Sequence, residues 1–513
     1  MGGPPGRAGA SVRIETGRRF LANPFRDAPE RHGSLQAIFD RSWALLDEEH
    51  GRALAALSVF RGGFDREAAA SVAGASVPTL DQLLGKSLLR RSAESRYELL
   101  EVVREFAGER LRETPELAEA ARERHARHYA RFLARLEPEL TSPDKDDALS
   151  RWALELDNVR AAWRTAARHG LLPALHEATD PLFTLYDGRG WHREAESLFR
   201  EALAGLADGT TPPGGRDGGA LEVRILLLGR LGAVLQRLGQ KSEAETVLQQ
   251  ALTLTEEVEN GREGAFLLDR LSLISFGKQD FPEAVAQQER ALALRRKLDD
   301  PVLAATSLNN LGSLHFAMGQ WDRAHAFCTQ CLELQTELGD LAGQVISLHN
   351  LGHIALARDD ADEAERCFQA ALGVARRVRH SVLAARALLS LGTLAAARGR
   401  FHEAERYYQP ALARAMQVGA ESLALDAMLG MASTRVSLGD LRGGLELVAA
   451  LYGHEALDPG SRLSAERLLA TLRANLPDGT VEGVLQGGST FRLEAIAARL
   501  ADPLPINDPT RLQ

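Results

Sequence analysis

From about residue 221 to 455, apolar and small residues recur every forty positions. Leu231-Gly232, Leu271-Ser272, Leu311-Gly312, Leu351-Gly352, Leu391-Gly392 and Met431-Ala432 fall in register. Twelve residues further on come Ala244, Ala284, Ala324, Ala364, Ala404 and Gly444, and seven beyond those Ala251, Ala291, Cys331, Ala371 and Ala411. A fixed period of this size predicts a solenoid, in which each unit buries its apolar face only against its neighbours. The Leu-Gly pair belongs to a first helix (A) and the Ala to the start of a second (B). Gly319-Gln320, Gly399-Arg400 and Gly439-Asp440 mark the turn between them, as Gly at a helix C-terminus should. Small residues at Gly312 and Ala324 let the two helices approach closely, and Leu311 fills the space between them. Stacked helix pairs expose a long concave face, so the pattern predicts a binding protein.

Upstream the periodicity is helical but irregular. A helix is predicted from an N-cap at Ser34 (SLQAIFDRSWALL), followed by EEHGRALAALSVF, REAAASVAG and TLDQLLGK. LLRRS and RYELL read as two short strands, and EVVREFAGERL as a closing helix. Small helices plus a strand pair predict a winged-helix domain over residues 19–113, behind a disordered Gly/Pro/Arg leader at 1–18. Residues 114–206 read as a helical spacer anchored by Trp152, Trp163 and Trp191, and 207–220 as a linker. About six repeats fill 221–455. Two capping helices close the array over 456–513.

With 513 residues the chain exceeds one ordinary core. The net charge of −9 argues against a chain-wide grip on nucleic acid or anionic membrane. Three cysteines imply no disulfide framework and fit a reducing compartment, and no stretch is long enough to span a membrane. A cytoplasmic protein is expected.

The repeats look like the forty-residue tetratricopeptide subclass of signalling adaptors, at a period longer than the usual 34; the extra residues are expected in the helices and the B-to-A turn. The expected fold is therefore all-α, a right-handed α-solenoid of tetratricopeptide-like helix pairs preceded by a small winged-helix domain. RDAPERHGSLQAIFDRSWALLDEE, LSVFRGGFDREAAASVAG, LLGKSLLRR and YELLEVVREFAGERL, in that order, resemble the region after the ATPase of bacterial STAND-class signalling proteins with an NB-ARC domain, the LuxR-like and SARP-like regulators among them. HARHYARFLARLEPEL and LELDNVRAAWRTA resemble that family's spacer, and VLQGGSTFRLEAIAARL its last helices. The stretch ahead of residue 19 is expected to lack the family's nucleotide-binding domain. The only GK[ST], Gly85-Lys86-Ser87, has Leu80 where a phosphate loop needs its first Gly. Where relatives place a nucleotide-sensing Met-His-Asp trio, this chain has Leu99-Leu100-Glu101. The resemblance thus implies either a separately encoded nucleotide-binding partner or a regulator that works without one, and no cofactor is expected.

His325, Cys328, Cys331 and Cys367 could suggest a metal site, but Cys331 fills the small-residue slot and Cys328 the slot of Phe368 and Tyr408, so packing is the expected role. Residues 34–112 hold 11 Lys and Arg against 12 Asp and Glu, a net of −1, which disfavours DNA although Arg90, Arg91 and Arg96 cluster on the wing. No nucleophile motif appears, so no enzyme is expected. The helical wheel puts Arg230, Arg237, Arg270, Thr306, Asn310, Ser313, Asn350, His353, Arg386 and Ser390 on the A-helix face turned away from helix B, with Phe266, Leu273, Ile346 and Thr393 beside them. That face is expected to be locally basic and to hold an acidic protein or peptide segment, with Asn310 and Asn350 bonding its main chain.

Overall fold

The computed structural model describes residues 39–92, 96–141, 145–207, 218–258, 260–452, 454, 457 and 459–487. The expected leader, the cap at Ser34, most of the linker and the STFRLEAIAARL helix lie outside these residues. The protein is an all-α solenoid built as two compact units, Met1–Leu238 and Gly239–Gln513. The first helix in the forty-residue register therefore belongs to the first unit, not to the array that follows.

In the first unit, helices α1 (Glu48–Leu57), α2 (Arg66–Ala73) and α3 (Val77–Gly85) each begin on a side-chain cap. Asp47, Asp65 and Ser76 accept from the backbone N–H of His50, Ala68 and Thr79, satisfying donors that a helix start leaves open. Strand β1 (Arg90–Arg91) pairs antiparallel with β2 (Tyr97–Glu98), and α4 (Glu101–Arg112) follows. The rings of Phe60, Phe64 and Tyr97 form a buried stack beneath the strand pair. Five α-helices follow: α5 (Pro115–Leu136), α6 (Lys145–Arg168), α7 (Leu172–Arg189), α8 (His192–Ala207) and α9 (Gly218–Arg237). Trp152 and Trp163 are core residues as expected, but Trp191 is 36% exposed and packs at the edge, its ring 5.5 Å from that of Trp152.

Arg96 does not stand on an open cationic wing. Its guanidinium lies 2.6 Å from Glu155 Oε1 of α6 and donates to the Gly63 carbonyl. The other Glu155 oxygen accepts from the Tyr129 hydroxyl and from Asn158 Nδ2, and Asn158 Oδ1 accepts from the Arg61 N–H. This buried network ties the turn at Arg61–Gly63 to α5 and α6. Only Arg90 and Arg91 of the three arginines remain exposed.

The second unit opens with α10 (Lys241–Val258) and continues as α11 (Gly261–Gly277), α12 (Phe281–Lys297), α13 (Pro301–Ala317), α14 (Trp321–Glu337), α15 (Leu341–Ala357), α16 (Ala361–Arg377), α17 (Ser381–Ala397), α18 (Phe401–Gln417) and α19 (Glu421–Ser437). Shorter α20 (Leu441–Leu451), then α21 (Pro459–Asn475) and α22 (Thr480–Gly487), finish it. Helices α11 to α19 each span 17 residues. Three-residue turns separate them, so the B-to-A turn is no longer than the A-to-B turn. Every twentieth residue from Gln279 to Gly439 is left-handed, with φ between 53° and 88°. Such a residue ends one helix. The next residue begins another, and where it is Asp280, Asp300, Asp340, Asp360 or Asp440 its carboxylate caps the new helix.

The glycine of the Leu-Gly pair sits against the bulky side chain of its own B helix. A methyl group on Gly352 would overlap the Phe368 ring, and one on Gly392 would come within 2.7 Å of the Tyr408 ring. Ser272 takes the glycine slot in α11 and sends its hydroxyl to the Ala284 carbonyl at 2.9 Å. Gly352→Ala should therefore cost about 1–3 kcal/mol by overpacking. Gly373→Ala, on an exposed stretch of α16 with open space around it, should stabilise by about 0.5–1 kcal/mol. Urea unfolding of the two variants checks both signs.

Candidate functional site

The A-helices α13, α15 and α17 carry a single Asp, Glu, Lys or Arg among them, Arg386. Their B partners α14, α16 and α18 carry four, six and four. The open side of the A-helices is thus neutral, with Val302, Phe316 and Ile346 at 60%, 39% and 44% exposure among Thr306, Ser313, His353 and Thr393.

Of the four arginines expected to make this face basic, three are engaged by other groups of the protein. Arg230 is buried in the first unit and paired with Asp180 of α7; Arg237 makes a two-pronged bond to Asp187 at 3.0 and 3.1 Å. Both belong to α9, whose neighbour α7 supplies an acid fifty residues earlier, a distance no helical wheel samples. Arg270 is half-buried, its guanidinium 5.2 Å from the centre of the Phe266 ring. Arg386 is exposed on α17.

The polar residues expected to greet a partner largely bond to the solenoid itself. Asn350 donates to Asn309 Oδ1 at 2.8 Å, from one A helix to the preceding one, and Asn310 reaches Gln288 Oε1 at 3.5 Å. The Ser313 hydroxyl donates to the Asn309 carbonyl, and Thr306 to that of Val302. Ser390 is buried against His349 Nδ1 at 3.5 Å. Thr306, Ser313, His353, Arg386 and Thr393 remain on the open side. Half-burial pushes His349 down to about 3, with His353 and Arg386 adding to it; His353 is lowered by its crowding and then by Arg386. Both rings are neutral at physiological pH. The cysteines are buried, and burial drives Cys328 and Cys367 up to about 12, which keeps the thiols protonated and away from the thiolate form that metals need.

Sequence reasoning passed over one buried cluster. Asp269 of α11 and Arg295 of α12 form an ion pair, both under a tenth exposed. Gln288 donates to Asp269 at 3.1 Å, and Arg295 also reaches the Ser307 hydroxyl of α13. The signal was present in the register. The Asp269 position reads Asn309, His349, Leu389 and Leu429 in later copies, and the Arg295 position Gln335, Ala375 and Ala415. Polar residues in a column that ends apolar mark a buried network that dies away along the array.

The sequence profile of the tetratricopeptide repeat matches residues 223–297, 265–337, 303–377 and 343–417. Residues 223–417 are tetratricopeptide repeats. Proteins of Mycobacterium tuberculosis and Mycobacterium bovis, provisionally named HTH-type transcriptional regulators, are 34% identical over 198 residues. That match covers 36% of this chain and 22% of theirs, so the chain spans about a fifth of the length of these curated relatives. Among solved structures, a Signal Transduction ATPase with Numerous Domains (STAND) with a tetratricopeptide repeat sensor, from Pyrococcus horikoshii, is 15% identical and covers 88% of this chain and 67% of its own, with a TM-score of 0.44. BtubC from P. vanneervenii is 23% identical over 45% of this chain and 91% of its own, with a TM-score of 0.39. Among the described residues no helix is long and apolar enough to cross a membrane.

Removing one member of the buried pair between α11 and α12 leaves an uncompensated charge. Asp269→Ala should lower stability by about 3–5 kcal/mol, while the double change Asp269→Leu with Arg295→Met should recover most of that loss. Chemical denaturation of the three proteins measures the difference.

Proposed function

We propose that this protein is a non-catalytic regulatory scaffold that holds a protein or peptide segment along the open side of α13, α15 and α17. The observation that carries this reading is the charge segregation. Exposed Val302, Phe316 and Ile346 lie on helices almost free of charge, while the charged residues gather on the B helices. Solvent alone gives no reason to keep three exposed apolar side chains on a neutral strip; a bound segment does. The neutral strip favours a partner with apolar side chains and open main-chain groups over a strongly acidic one. Buried free thiols suit the cytoplasm as its location.

A photo-crosslinking amino acid at Ile346 should capture a discrete partner from the native cytoplasm, and the same probe at exposed Gln369 on α16 should not. Val302→Glu with Ile346→Glu should abolish the capture without lowering the melting temperature. Equal capture from both probe positions, or capture that survives the double change, would refute the proposed face.

A second reading, a transcriptional regulator that touches DNA through residues 34–112, is favoured by the names of the mycobacterial relatives and by the winged-helix pattern of α1 to α4 with its strand pair. It would have to work through Arg90 and Arg91, since Arg96 is engaged with Glu155. The full chain is expected to bind duplex DNA at background level at physiological salt. Tight, steeply salt-dependent binding lost on Arg90→Ala with Arg91→Ala would promote this reading.

A further inference from the structure

His349 and His353 lie one helical turn apart on α15, in the sequence His349-Asn350-Leu351-Gly352-His353. Positions four apart share a helix face. Both rings lean on Phe368 of α16, with centroids 5.7 and 5.2 Å from its own, so their orientation is fixed by packing. Their Nε2 atoms point at each other across 3.1 Å. The Nδ1 of His349 faces the Ser390 hydroxyl of α17, which leaves the Nε2 lone pair of His349 directed into the gap when Nδ1 carries the proton.

That gap has the dimensions of a chelate. Imidazole nitrogens bind first-row divalent metals at about 2.0–2.1 Å, and two ligands at 90–109° around one ion stand about 2.9–3.4 Å apart. The observed separation of 3.1 Å falls inside that interval. A hydroxyl behind a ligand's second nitrogen is the outer support that fixes tautomer and ring plane in metal sites. His353 is exposed, so an ion can reach the pair from solvent. Burial is the larger cause that keeps both rings unprotonated; Arg386 on α17 adds to it, and its charge opposes a cation at the same place.

We propose that His349 and His353 form a two-imidazole site for a borderline divalent transition metal ion such as Ni²⁺ or Zn²⁺. No third His, Cys, Asp or Glu completes a ligand set there among the described residues. The remaining coordination positions are open to water or to a ligating side chain brought by a bound segment. Hard cations such as Mg²⁺ and Ca²⁺, which require oxygen ligands, are excluded by the donor set. The site stands whether or not the A-helix face holds a partner, because it needs only residues of this chain.

The test is calorimetric titration of the untagged full chain with Ni²⁺. Saturable binding is expected that His353→Ala removes, that His402→Ala on α18 leaves unchanged, and that Arg386→Gln tightens by lifting the repulsion. His353 is exposed, so its replacement leaves folding intact, which a thermal melt confirms. Cu²⁺ bound at the pair should show electron-spin coupling to two nitrogens, falling to one in His349→Ala. A wild-type chain that shows no saturable binding, or that titrates like His353→Ala, overturns the site and shows that the two rings share only a hydrogen bond.

Discussion

The close approach of each A helix to its own B helix is the constraint on which the rest of the array depends. It is made by a missing side chain on one helix and one that fills the space on the other: Gly352 against Phe368, Gly392 against Tyr408, Gly312 against Cys328. The pairing fixes which side of each A helix is buried. With helices of equal length and three-residue turns from α11 to α19, the same relation is reproduced every forty residues, and the opposite sides of these A helices form one strip. The neutral face is therefore a by-product of packing that the sequence then decorates.

Charge follows the same division. Residues at the ends of A helices pair with the B helix of the preceding repeat: Lys278 with Glu245, Arg358 with Asp322, Arg398 with Asp362 and Glu365, and Arg435 with Glu405. Partly exposed pairs of this kind contribute little each, so they serve register more than stability. They also occupy the acids and bases of the outer surface, leaving few free charges to disturb the A-helix side.

The repeats were legible because their determinants are local. A forty-residue register of Leu, Gly and Ala names the contact, and the Asp and Gly of the turns name the helix ends. The Cys328 and Cys331 slots were read correctly for the same reason, since each inherits the role of the residue forty positions away. The candidate face was only half legible. A helical wheel places Asn310 and Asn350 on the right side but is blind to Gln288 and Asn309, which take up their amides. It is equally blind to Asp180 and Asp187, brought to Arg230 and Arg237 from fifty residues upstream. Trp191 reached an edge rather than the core because it sits at a helix junction, where aromatic size says nothing about depth.

Polarity fades from the buried pair Asp269 and Arg295, through half-buried Asn309 and His349 and buried Gln335, to Leu389, Ala375 and Leu429, which gives the solenoid a direction. Repeats in a linear array hold together through nearest neighbours alone. Contacts sealed by an ion pair and amides depend on exact bond geometry, whereas those sealed by Leu, Met and Ala tolerate small slips. A shift in the alignment of neighbouring helices therefore has directional bonds to break in the early repeats and apolar contacts to slide in the late ones.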